Sequence, residues 1–132
     1  MIESGISRSY KTELLRGIHS ENDEYYMALY TDSANIGPQT QRYSPDGEVT
    51  ADGYEKGGKR VGLNVSALGY GAVLTLDEQV WENTTITAGG SMIYNASKDG
   101  RAVAVMSFGE SVSSVNGKFT VTPVSGQLIR IV

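Results

Sequence analysis

The sequence predicts a mainly β fold: an antiparallel β-sandwich or jelly-roll-like domain of about eight short strands, with one short N-terminal helix. Three observations predict it. Strand-like runs follow one another at short intervals from residue 60 onward. The pieces between them are turn formers: Gly69-Tyr70-Gly71, Gly89-Gly90, Asp99-Gly100, Asn116-Gly117 and Gly126. Only one segment repeats its apolar residues at helical spacing. The whole chain, 1–132, reads as a single domain with no internal repeat.

That helical segment spans residues 7–17, where Tyr10, Leu14 and Ile18 lie four apart, Ser7 or Ser9 stands at the start and Gly17 at the end. The acidic stretch His19-Ser20-Glu21-Asn22-Asp23-Glu24 reads as a solvated loop. Residues 25–31, Tyr-Tyr-Met-Ala-Leu-Tyr-Thr, are aromatic-rich and apolar on both faces, as in a buried strand. A long Gly/Pro-rich loop follows at 32–59, with Pro38, Pro45, Asp46-Gly47 and Asp52-Gly53 as breakers and Tyr43, Val49 and Tyr54 as its anchors. Loops of this length in a compact domain are commonly functional, which makes it the prime contact region.

An antiparallel β core at 60–132 completes the domain, with strands expected at 60–65, 72–76, 84–88, 91–95, 101–108, 118–122 and 127–131. In the run after Arg101, Val103 and Val105 alternate with Ala102, Ala104 and Met106, so both faces are apolar and the strand is central. Lys118-Phe119-Thr120-Val121-Thr122 alternates cleanly, with one face wet. Asp99-Gly100 and Asn116-Gly117 are preferred hairpin dipeptides, so the last third reads as an antiparallel meander. Trp81, Tyr30, Phe108 and Phe119 are the expected core anchors.

Composition narrows the function. With 11 basic and 15 acidic residues, a net charge of −4, the chain offers no phosphate-tracking surface, so no nucleic acid is expected as a partner. No basic-then-apolar leader opens the sequence and no apolar run is long enough to span a bilayer, so neither export nor membrane association is expected. The absence of cysteine removes thiol nucleophiles and thiolate metal sites.

Catalytic chemistry is sparse. His19, the sole histidine, follows the helix in a polar loop and reads as solvated or as a charge at the helix C-terminus. No strained Gly-x-Ser-x-Gly turn is present. Asp77-Glu78 and Glu82 beside Trp81 do not make a glycosidase pair, because neighbouring strand residues point to opposite faces. Glu21, Asp23 and Glu24 lack the spacing of a calcium loop, and Gly53 to Arg60 lacks the phosphate-loop pattern. No metal, cofactor or small-molecule substrate is expected, nor an enzymatic role.

Several segments in order resemble a family, the small virion proteins of tailed bacteriophages described as capsid decoration, cement or tail-fibre-like proteins. They are Ala28-Leu29-Tyr30-Thr31, Glu48-Val49 with Gly53-Tyr54 and Gly57-Gly58, Trp81 through Ala88, and Ile93-Tyr94-Asn95. The last two are Arg101-Ala102-Val103-Ala104-Val105 through Phe108-Gly109, and Asn116-Gly117-Lys118-Phe119-Thr120-Val121. The resemblance implies a jelly-roll-related β-sandwich and a structural place on the exterior of the capsid, after synthesis in the host cytoplasm. It implies the major capsid protein as partner, with self-association as a dimer or trimer. A tail-fibre-like module that binds host surface glycan or another tail protein is the alternative.

For the partner contact, Arg42, Tyr43, Tyr54, Lys56, Lys59 and Arg60 stand out, because tyrosine and arginine dominate interface energetics. The opposing reading is that Tyr43 and Tyr54 pin the loop to its own core. Arg8, Lys11 and Arg16 on the helix form a second contact set or a solvated helix face.

Overall fold

The computed structural model describes residues 1–123 and 127–131. Among these the chain is mainly β, with a five-stranded, a three-stranded and a two-stranded antiparallel sheet arranged in a β-sandwich-like fold. In chain order the elements are β1 Gly5–Ile6, α1 Arg8–Leu15, β2 Tyr25–Tyr30, β3 Lys59–Val61, β4 Leu63–Leu68 and β5 Gly71–Leu76. There follow β6 Gln79–Thr84, β7 Thr87–Asn95, a 3-10 turn at Ala96–Lys98, β8 Arg101–Ser113, β9 Gly117–Val121 and β10 Gln127–Ile131. The expected turn at Gly126 lies outside the described residues.

The helix ends as expected: Gly17 N–H bonds Leu14 O and Ile18 N–H bonds Glu13 O, which closes the carbonyls of the last turn. At its start Ser7 occupies the cap position but its hydroxyl makes no capping bond. Tyr10 is buried against the main core while Leu15 is fully exposed.

The large sheet runs β1-β8-β7-β2-β3. β2 lies between β7 and the short β3 and is covered on both faces, and its alternate residues serve two separate cores. Met27 and Leu29 join Leu76, Trp81, Ile86, Ile93, Val103 and Phe119 in the main core, facing the two smaller sheets and α1. Ala28 and Tyr30 point the other way, with Met92, Tyr94, Ala102 and Val105, beneath Ala34, Ile36 and Tyr43 of the segment between β2 and β3. The Gly/Pro-rich loop is therefore a packed layer over the second face of the sheet. Trp81, Tyr30 and Phe119 are buried as expected, and Phe108 is half-buried against Phe119.

Several strand boundaries differ from the sequence reading. The expected strand at 60–65 breaks at Gly62, so that β3 pairs with β2 and β4 with β5 in a different sheet. Gly89-Gly90 is not a turn but the middle of β7, joining two expected strands into one. A Cβ on Gly89 would meet Asp32 Oδ1 at 1.8 Å, and one on Gly90 would meet Met106 O at 2.7 Å, so these glycines mark close approach. Asp99-Gly100 does join paired strands, β7 and β8. Asn116-Gly117 does not: β9 pairs with β6, so this turn carries the chain from one sheet to another and the meander ends there. β1 and all of β6 before Thr84 were not anticipated, the former because it has only two residues.

One glycine is under unusual demand. Gly58 has φ +81° and lies against β2, where a Cβ would meet Met27 O at 1.8 Å. Gly58→Ala is therefore expected to lower stability by about 3 kcal/mol, read as a fall in the urea midpoint.

Candidate functional site

The long segment after β2 is held by one carboxylate. Glu48 is 5 % exposed and sits beside Tyr30 in an isolated antiparallel bridge. Its Oε1 accepts from Tyr43 Oη at 2.5 Å, and its Oε2 accepts from Tyr54 Oη and from Gly57 N–H at 2.7 Å. Tyr54 Oη in turn accepts from Leu29 N–H at 2.9 Å, on β2. Tyr94 Oη donates to Gly57 O at 2.6 Å and Tyr30 Oη to Ser44 O at 2.7 Å. Tyr43 stacks on Tyr94, centroids 4.6 Å apart. Val49 N–H to Leu29 O and Thr31 N–H to Gly47 O complete the attachment. A buried carboxylate is tolerated only when its lone pairs are filled, and three donors fill them here.

Burial, followed by the neighbouring Glu48 charge, pushes the Tyr30 and Tyr94 hydroxyls up, Tyr94 to about 12, and burial followed by its bond to Glu48 raises Tyr54. Tyr43 moves the same way for the same first cause, with its bond to Glu48 second.

The predicted contact residues separate into two groups. Tyr54 is buried with its hydroxyl committed to Glu48, which removes it from any contact surface; Tyr43 is half-buried and likewise committed. Lys59 is also half-buried, its Nζ donating to Val80 O at 2.9 Å and lying 5.3 Å over the Trp81 ring. Arg42, Lys56, Arg60, Arg8, Lys11 and Arg16 are exposed. Arg42 bridges to Arg101 and donates to Asp99 O at 3.0 Å; Lys56 Nζ donates to Glu48 O at 3.1 Å; Arg60 meets Glu24 at 3.2 Å. The pairings Arg101↔Asn95, Asn95↔Tyr25 and Tyr25↔Val61 bring Arg42 and Arg60 to the same end of the sheet, on opposite edges.

At that end lies a second polar assembly. The His19 side chain is 1 % exposed and not solvated, the reverse of the expectation. It packs on Tyr10, and its Nε2 meets Glu13 Oε1 at 2.8 Å, while Glu13 Oε2 accepts from Arg101 Nη1 at 2.8 Å. Asn95 Oδ1 accepts from Ser97 N–H, which directs Asn95 Nδ2 toward His19 Nδ1 at 2.9 Å and Asp23 Oδ2 at 2.8 Å. With an amide N–H facing Nδ1, the ring proton belongs on Nε2, and both nitrogens are occupied. Asp23 also takes a bond from Lys98 Nζ at 2.8 Å. Partial burial raises its carboxyl, but bonds from Lys98, Asn95 and the Ser20 amide outweigh that and hold it at about 2. Its stabilising contribution is complete above the ordinary aspartate range and is lost as pH falls toward 2.

Glu48, Glu13, Asn95 and Arg101 are the residues that sequence reasoning passed over. The available signal for Glu48 was a charge beside buried Val49 in a segment with tyrosines at 43 and 54. Among the described residues no group of three or more acidic or histidine side chains is placed to hold a metal ion, and no helix is long and apolar enough to cross a membrane. No family model, curated protein or solved structure matches the chain.

Glu48→Ala strands two hydroxyls and an amide and is expected to cost about 3 kcal/mol or more; Tyr54→Phe, which also orphans the Leu29 amide, about 2 kcal/mol. Both are read by urea denaturation. The raised tyrosines give the fold stability that is complete below pH 10 and lost as pH climbs above it. Midpoints should therefore decline above pH 10, less steeply in Tyr94→Phe. On the acid side, Asp23→Asn should flatten the decline between about pH 4 and 2.

Proposed function

We propose that the chain is a structural protein of a tailed-bacteriophage virion: a capsid decoration or cement protein that binds the assembled major capsid protein lattice from outside and stabilises the head. It acts without catalysis, and it self-associates as a dimer or trimer. The observation that carries this reading is the state of the long segment. Its tyrosines and Glu48 are spent on internal bonds, while Arg42, Lys56 and Arg60 remain outside on a frame already ordered. A pre-ordered surface loses little conformational entropy on docking, which suits a protein that meets many identical sites at once.

Two further observations support it. His19, the one imidazole, has both nitrogens engaged and is inaccessible, which leaves acid–base chemistry without its usual agent. Trp81 is 7 % exposed, so it is not the sugar-stacking platform that the glycan-binding alternative would ask of it. A protein that binds the shell but not its free subunits stabilises the shell by mass action.

Co-sedimentation of the purified chain with empty heads, and separately with isolated tails, tests the reading. Saturable head binding with raised resistance to thermal collapse is expected, and a triple Ala replacement of Arg42, Lys56 and Arg60 should weaken it at least about tenfold while the fold is kept. Binding to tails alone would overturn the capsid assignment.

A further inference from the structure

The hairpin formed by β4 and β5 differs from the rest of the surface. Residues 61–76 contain none of the chain's 11 basic and 15 acidic side chains. Yet Val65 is 53 % exposed, Leu68 43 %, and Tyr70 at the turn is fully exposed. Strand pairing puts Val65, Leu74 and Ile129 side by side on one face, with Ala67, Ala72 and Ile131 in the next row. Between this face and α1 runs an apolar groove lined by Tyr10, Leu14, Val65, Leu74, Ile129 and Ile131. The outer edge of β4 is a less suitable contact, because Glu21 Oε2 already accepts from the Val65 amide at 2.8 Å.

We propose that this apolar face docks a second copy of the same chain about a two-fold axis, the Tyr70 ring of each hairpin entering the groove of the other. Charge selects the occupant. Two copies of a chain with net charge −4 repel each other where like-charged surfaces meet, and residues 61–76 bring no charge of their own to this face, Glu21 standing only at the outer edge of β4. Geometry agrees with a self-complementary contact. Tyr70 lies in the turn, four residues from Leu74 and so at most about 13 Å along the hairpin from the Val65–Leu74 row, and antiparallel hairpins place the knob of each copy over the groove of the other. The axis then passes near Ala67 and Ala72, whose small side chains let the two sheets approach. An aromatic ring in an apolar pocket is the usual anchor of such an interface.

This names the surface for the self-association in the proposed function and rests on that part of it alone. The test is sedimentation equilibrium of the isolated chain across the micromolar range. A monomer–dimer equilibrium is expected, weakened at least about tenfold by Tyr70→Ser and abolished by Val65→Glu, which puts a carboxylate into the groove that receives the partner's ring. Because the chain lacks cysteine, Ala67→Cys gives a clean second readout, a disulfide-linked dimer on mild oxidation. Circular dichroism and thermal melting confirm that each variant is folded. A chain that stays monomeric throughout, or a dimer indifferent to Tyr70→Ser and Val65→Glu, overturns the proposal. Neither result touches shell binding, which the head co-sedimentation decides separately.

Discussion

The buried Glu48 carboxylate is the constraint on which the architecture of the second face rests. A chain of 28 residues between Tyr30 and Lys59 contains no named helix or strand, yet it covers Tyr30, Met92, Tyr94 and Val105 as closely as a third layer would. Irregular backbone can do this only if its polar groups find partners. Glu48 draws Tyr43, Tyr54 and the Gly57 amide to one point, and Tyr54 passes the connection on to Leu29 in β2. Gly58 then lets the chain turn back against Met27 to begin β3. A carboxylate buried this deeply is costly by itself, and its role is to specify one arrangement of the segment over others.

The same logic holds at the end of the sheet where His19 is buried. Glu13 from α1, Asn95 from β7, Arg101 from β8 and Asp23 from the connecting loop meet around the imidazole and its partners. The network ties helix, sheet and loop together.

The strands were legible where apolar periodicity was strong. Tyr25 to Tyr30 and Ala102 to Val105 read as strands apolar on both faces and are buried on both, although the middle of the sheet is β7 and not the strand after Arg101, and Lys118 to Val121 alternates as its sequence suggests. Glycine was the main source of error, since Gly89-Gly90 serves close packing against Asp32 and Met106 while its sequence looks like a turn. Asn116-Gly117 formed a turn with the right dipeptide but joined strands of different sheets, a matter of tertiary pairing that local chemistry does not encode. His19 looked solvated because its partners Asn95 and Asp23 are distant or unremarkable in sequence, and the tyrosines at 43 and 54 gave no sign of which partner they would choose until Glu48 was placed among them.

Amide hydrogen exchange of the intact chain tests the central claim most directly. If Glu48 fixes the segment as a layer of the fold, the amides of Leu29, Val49 and Gly57 should exchange only with global unfolding, at the rate of core amides in β7. Exchange at Val49 and Gly57 orders of magnitude faster than at Ile93, with β7 still protected, would show that the segment opens on its own and contradict the account.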